Sequence, residues 1–179
     1  MGMGIQICGL NGCGKSTLGR ALAKKIGFHF IDNENLYFSR TNIDEPYKNP
    51  KSRADVERLL MEEVRRNPDF VFAAVKGDYG KDIIPMYDYI VMMEVPKNIR
   101  ASRVRNRSFQ KFGDRMLIGG DLHNQEEAFF QMVDSREDDY VETWLQTMNC
   151  PIIRVDGTKP IEDNVEYIIK EIDMKNKNI

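Results

Sequence analysis

Residues 9 to 16, Gly9-Leu10-Asn11-Gly12-Cys13-Gly14-Lys15-Ser16, lie between an apolar run, Gly4-Ile5-Gln6-Ile7-Cys8, and a helical stripe made by Leu18, Ala21, Leu22 and Ile26. They satisfy the pattern Gly-x-x-x-x-Gly-Lys-Ser/Thr at every defined position, with the strand before and the helix after that such a loop requires. Glycines at 9, 12 and 14 open backbone conformations closed to residues with a Cβ, so successive N–H groups can turn inward around a chain of phosphates. Lys15 adds a mobile positive charge. The Ser16 hydroxyl suits a Mg²⁺ ligand, and the helix starting there aims its positive dipole end at the anion. Thr17 completes the segment expected to hold a nucleoside triphosphate.

The remaining chain alternates strand and helix patterns. Gly27 is a helix stop, and residues 28–31 read as a second strand ending at Asp32. Residues 39–50 are polar and broken by Pro46 and Pro50, after which Val56, Leu59, Leu60 and Val64 mark an amphipathic helix that stops at Asn67-Pro68. Residues 70–75 are apolar throughout, as a strand covered on both faces should be, and 77–80 follow as a loop. A fourth strand over 89–95 leads through Pro96 into a helix running towards Phe109. Residues 113–120 read as irregular, 126–148 as one helix, 152–155 as a fifth strand, and Ile161, Val165, Ile168, Ile169 and Ile172 as the closing helix, with 175–179 frayed. This alternation predicts a right-handed, doubly wound parallel sheet with ligands at its carboxyl edge.

Bulk properties narrow the function. A chain of 179 residues suits one domain over 1–179, and a net charge of −2 does not favour nucleic acid or an anionic membrane. No apolar run approaches the roughly 20 residues that cross a bilayer. No signal peptide is read at the start, and Gln6 stands where a myristoylation site wants Ser or Thr. Cys8, Cys13 and Cys150 are an odd set without metal-ligand spacing, which fits a reducing cytoplasm. Cys13, beside Lys15 in a loop rich in N–H dipoles, reads as a tolerated small residue or as a redox-sensitive thiol. His29 and His123 have no second ligand at metal spacing.

Phosphoryl transfer needs cations beyond one lysine, and residues 97–115 supply Lys97, Arg100, Arg103, Arg105, Arg107, Lys111 and Arg115 against Asp114 alone. In a helix Arg103 and Arg107 share one face, where they can close over a nucleotide. The competing reading is a solvated basic face paired with Glu126-Glu127 or Asp138-Asp139.

With these motifs the chain resembles the small phosphate-loop kinases of the adenylate kinase and shikimate kinase group. The likeness rests on residues 9–17, on Arg103-Val104-Arg105-Asn106-Arg107, on Arg136-Glu137-Asp138-Asp139, and on Val155-Asp156-Gly157-Thr158-Lys159-Pro160. It implies a P-loop NTPase fold of three αβα layers around five parallel strands in the order 2-3-1-4-5. It also implies a short helical lid over about 103–136 and an acceptor-binding excursion over about 33–67. Catalytic roles fall to Lys15, Asp32, Arg103, Arg107 and Arg136. ATP would be held by Gly9, Asn11, Gly12, Cys13, Gly14, Lys15, Ser16, Thr17 and Arg103, with Gly157, Thr158 and Lys159 against the base, and Mg²⁺ by Ser16.

Two family signatures are missing. Lys76-Gly77-Asp78-Tyr79-Gly80 stands where nucleoside monophosphate kinases carry Asp-Gly-x-Pro-Arg, and the Gly-Gly-Gly of shikimate kinases is absent there too. Asp32-Asn33-Glu34 resembles the Asp-x-Asp of shikimate-type kinases. Asp32 or Asp78 would then serve magnesium through water, while Asp32 also reads as a helix N-cap and Asp78 as a turn residue. Asp32, Glu34, Asp78, Arg40 and Arg53 are the expected acceptor contacts, the arginines for an anionic group, with Tyr37, Phe38 and Tyr47 able to stack on a ring.

The expected function is therefore ATP-dependent transfer of the γ-phosphate to a nucleotide or small hydroxylated metabolite, by a cytoplasmic monomer or dimer. A nucleotide switch or slow ATPase without a small acceptor is the alternative, and an enzyme phosphorylating nucleic-acid ends is disfavoured by the net charge.

Overall fold

The computed structural model describes residues 2–38 and 47–176. Five strands, β1 (Gly4–Cys8), β2 (His29–Asp32), β3 (Phe70–Ala73), β4 (Tyr89–Glu94) and β5 (Ile152–Asp156), form one sheet in the order β2-β3-β1-β4-β5. Every pairing is parallel, with Gly4 opposite Phe70, Ile5 opposite Tyr89, His29 opposite Phe70 and Ile90 opposite Ile152. This is the order that the resemblance implies.

The sheet is apolar on both faces because residues alternate sides along each strand and helices cover both sides. Phe70, Phe72 and Ile90 pack with Val56 and Leu60 of α3 (Arg53–Arg66), Leu36 of α2 (Asn33–Tyr37), and Val141 and Leu145 of a later helix, Tyr140–Leu145. On the other face Ile5, Ile7, Val71, Val91 and Ile153 pack with Leu18 and Leu22 of α1 (Lys15–Ile26) and with Val165 and Ile168 of the closing helix, Ile161–Asn176. A third, small cluster lies between α4 (Lys97–Phe112) and α5 (His123–Asp134), where Val104 meets Phe130 and Val133. The two remaining helices are α6 (Tyr140–Leu145) and α7 (Ile161–Asn176).

Differences from the sequence reading are local. Helix 126–148 is two helices, because Ser135-Arg136-Glu137-Asp138-Asp139 interrupts it. Serine and aspartate favour turns over helix interiors, and three adjacent acids repel. Ser135 closes α5 instead, its hydroxyl donating to the Met132 carbonyl at 2.9 Å, and Tyr140 restarts the chain with an N–H bond to Glu137. β3 stops at Ala73, yet Ala74 N–H still reaches Ile7 O at 3.1 Å and Gly9 N–H reaches Val75 O at 3.2 Å, so residues 74–75 run beside the opening of the phosphate loop. Gly27 ends α1 as expected, with φ 77° and Phe28 N–H bonded to Ala23 O. α4 runs to Phe112, three residues beyond Phe109, and a single 3₁₀ turn, Gly113–Met116, stands in the stretch read as irregular.

Candidate functional site

β1, β2 and β3 are neighbours and point the same way, so their carboxyl ends bring the phosphate loop, Asp32 and residues 73–75 to one edge of the sheet. A cavity of about 490 Å³ opens there. Its floor is Asn11, Lys15 and Ser16 of the loop with Ala73, Ala74 and Val75; Asp32, Asn33 and Glu34 line one side, and Arg107, Glu126 and Arg136 come from α4, α5 and the break after α5.

The loop holds its shape through close backbone packing. Gly12 has φ 84°, and a Cβ there would stand 2.4 Å from the carbonyl oxygen of Arg100 on α4. Only glycine fits both constraints. Arg100 is itself buried, donating to Val95 O and to Asp138 Oδ1 at 2.9 Å each, so α4 is locked against both the loop and the break after α5. Lys15 Nζ donates to Leu10 O at 3.2 Å and lies 3.8 Å from Cys13 Sγ. Cys13 is fully buried among Ile7, Leu22 and Val155, which shields it from oxidants and agrees with its reading as a tolerated small residue.

The basic helix divides by task. Arg105, half exposed, pairs with Asp134 at 3.2 Å and lies over the Phe130 ring, a surface pairing with an acid other than those expected, while Arg100 pairs with the expected Asp138 but is buried. Arg107 faces the cavity with no ion pair among the described residues. Arg103 does not line it and instead donates to Gly157 O at 3.0 Å, joining α4 to the loop 157–159 after β5. Gly157 is packed against Val95 and the Cys13 carbonyl, whereas Thr158 and Lys159 are exposed and lie away from the cavity. Arg136 donates to Asn11 Oδ1 and sits beside the Tyr140 ring, bridging the α5–α6 break to the phosphate loop. Gly9, Gly12, Cys13 and Gly14 shape the loop from beneath, and Thr17 is exposed on α1.

Asp32 is an N-cap and a cavity residue at once. Its Oδ1 accepts the Glu34 N–H at 3.1 Å, while the carboxylate, only 12% exposed and 3.9 Å from Arg20, borders the cavity. The two readings are compatible because a carboxylate has lone pairs for both. Asp78 is different: it pairs with Lys76 at 3.3 Å and Arg53 at 3.5 Å and does not line the cavity.

Arg53 does not line it either. Its guanidinium donates to Glu57 at 2.9 Å and to the Asp78 carbonyl, and lies 4.2 Å over the Tyr79 ring, a clamp between α3 and the loop after β3. Arg53→Ala is therefore expected to lower the melting temperature by about 2 to 4 °C, from about 1 kcal/mol of partly exposed ion pairing and stacking, and to leave acceptor KM unchanged. A KM that rises tenfold at unchanged stability contradicts this placement. Arg40 lies outside the described residues.

Glu34 accepts from Tyr47 Oη at 2.7 Å, and Lys111 donates to the same hydroxyl at 2.5 Å, tying the second-strand excursion to α4. Burial, then the Glu34 carboxylate, push the Tyr47 hydroxyl pKa up, so it stays protonated and donates. Tyr47 packs edge-on against Phe38 and Phe112, and Phe129 adds a further ring to the wall. Glu126, Phe112 and Phe129 were not expected in the site, and Lys111 was expected only as one of the cations of the basic segment 97–115. Glu126 had a readable signal: it shares the i, i+4, i+7 stripe of Phe130 and Val133, an acid on the buried face of its helix.

The parallel 2-3-1-4-5 sheet, the glycine loop entering α1 and cations converging on it define a small P-loop kinase-like protein. The family described as AAA domain matches residues 5–131, and the chain belongs to it. It is similar to the adenylate kinase isoenzyme 6 homolog of Caenorhabditis elegans, 26% identical over 92% of this chain and 86% of that one. It is also similar to the shikimate kinase of Prochlorococcus marinus (strain NATL2A), 28% identical over 90% and 79%. In structure it is like the shikimate kinase of Aquifex aeolicus vf5, with a TM-score of 0.56 at 18% identity over 97% of this chain and 98% of that one, a likeness of fold.

Proposed function

We propose that the protein is a Mg²⁺-ATP-dependent phosphotransferase that moves the γ-phosphate to a nucleotide or small hydroxylated metabolite. One observation carries the reading: a single cavity gathers Lys15 and Ser16 from the loop, Asp32 from β2, Arg107 from α4 and Arg136 from the α5–α6 break. A domain that only stored a nucleotide would not need a carboxylate and two further cations facing the end of the phosphate chain.

In this reading the loop amides, Asn11 and Lys15 hold the β- and γ-phosphates, and Arg103 with the backbone at 157–159 borders the base. The acceptor oxygen bonds to the γ-phosphorus as the bond to the bridging oxygen breaks; ADP leaves, and the acceptor proton passes to Asp32 or to water. Lys15, Arg107 and Arg136 stabilise the charge on the migrating group. The oxygen donors present suit Mg²⁺: the Ser16 hydroxyl and the Asp32 carboxylate share the cavity, and no cluster of three or more metal-binding side chains is found among the described residues. That fits an ion held largely by phosphate and water. When bound it offsets phosphate charge, and Asp32 is better placed than Asp78 to hold its water.

Residues 103–136 act as the lid and 33–67 as the acceptor arm, joined at Tyr47, Glu34 and Lys111. Three free thiols agree with a cytoplasmic location, and no helix among the described residues is long and apolar enough to cross a membrane. The test is ADP release with Mg²⁺-ATP across pools of hydroxylated acceptors and nucleotides. Release that depends on an acceptor is expected, and release equal with and without acceptor contradicts the reading.

A further inference from the structure

Arg136 brings its charge to the phosphate loop without a counter-ion. Its guanidinium donates to Asn11 Oδ1, lies 5.5 Å from the Tyr140 ring, and has no carboxylate partner among the described residues. Arg100 and Arg105 on α4 differ, each being paired with an aspartate. An amide oxygen and an aromatic face orient a cation and leave its charge in place, whereas a carboxylate in the same position would offset much of its field.

The contact also fixes what Asn11 offers the nucleotide. A guanidinium has only donors, so the atom it meets is the amide oxygen, and an oxygen engaged in this way does not bind a phosphate oxygen. The carbonyl of the Asn11 side chain serves the arginine, and its NH₂ group is what remains for the phosphates. Both ends of the contact stand on one frame. Asn11 lies in the turn closed by the Cys13 N–H and Leu10 O at 3.3 Å, next to Gly12, which packs against the Arg100 carbonyl. The Arg100 side chain bonds to Asp138, in the same α5–α6 break as Arg136. Arg100 therefore ties the loop and the break to each other, and the Asn11–Arg136 bond joins them again at the cavity that both residues line.

From this we infer that Asn11 is a positioning residue, which holds Arg136 so that its full charge faces the group in transfer. The inference rests on the phosphotransferase reading and leaves the chemical step unchanged: the acceptor oxygen gains the γ-phosphoryl group, its proton passes to Asp32 or to water, and ADP departs.

The test is a double-mutant cycle at saturating Mg²⁺-ATP with the pooled hydroxylated acceptors and nucleotides, read with radiolabelled γ-phosphate so that the slow Arg136→Ala background is measured. Asn11→Ala is expected to lower the rate about tenfold in the parent and by less than about twofold in the Arg136→Ala background, where no guanidinium is left to position. ATP affinity should stay within about fivefold of the parent and the melting temperature within about 2 °C, since Asn11 is a half-buried turn residue. Asn11→Asp keeps an acceptor for the guanidinium but pairs its charge, so its rate at saturating ATP should be no higher than that of Asn11→Ala. Losses that multiply in the double variant, or a parental rate in Asn11→Asp, overturn the role of Asn11 and leave the kinase reading standing. A parent protein without acceptor-dependent transfer overturns both.

Discussion

Lys15→Ala is expected to reduce acceptor-dependent ADP release about a thousandfold, roughly 4 kcal/mol of transition-state stabilisation. The ammonium stands in the cavity beside loop amides that are already in place, so its charge acts without reorganisation of the site. Its hydrogen bonds among the described residues, to Leu10 O and the weak one to Cys13 Sγ, are only part-buried, and their loss should move the melting temperature by no more than about 2 °C. Activity and fold therefore separate in this variant. Full activity in Lys15→Ala would require that some other cation serve the phosphates, and Arg136 is the nearest candidate by position, since it donates to Asn11 of the same loop.

The second large effect belongs to the lid arginines. Arg107→Ala and Arg136→Ala are expected to lower kcat by about 10² to 10⁴, while the Kd for ATP changes by less than about fivefold. Both residues line the cavity but come from elements outside the phosphate loop, so their charge is placed for the migrating group more than for the resting nucleotide. Arg105→Ala supplies the control on the same helix. It pairs with Asp134 and covers Phe130, and kcat should stay within about threefold of the parent. Arg103 contacts Gly157 O and is expected to act on KM for ATP. Measuring kcat, KM and ATP affinity for the four variants separates a lid that acts in turnover from a basic face that merely solvates the helix. Equal loss of kcat and of ATP affinity at Arg107 and Arg136 counts against the lid.

What sequence alone discloses here is what local chemistry decides. The phosphate loop is legible because its glycine positions, its lysine and its serine are adjacent in the chain, and the flanking strand and helix patterns leave little alternative. Strand order was carried by resemblance, since nothing in residues 70–75 states that they pair with both 4–8 and 29–32. The acceptor side was harder to read because the partner of a charge is set by tertiary placement. Arg53 looks like an anion contact until α3 brings it onto Asp78 and Tyr79. Glu126 looks like a surface acid until α5 turns it inward with Phe130 and Val133. The break at 135–139 was hidden by a helical period on both sides, although the turn-forming Ser135 and the acid run marked it, and it is this break that lets Arg136 reach Asn11.

Isothermal calorimetry of the parent protein with ATP, in the presence and absence of Mg²⁺, addresses the claim on which all roles depend: that the amides and ammonium after β1 enclose a polyphosphate. Saturable binding at one site per chain is expected, with a Kd of about 1 mM or tighter, −4 kcal/mol or more favourable, and weaker or absent in Lys15→Ala. No heat with ATP or any other nucleoside triphosphate, with magnesium supplied and the protein folded, would contradict it.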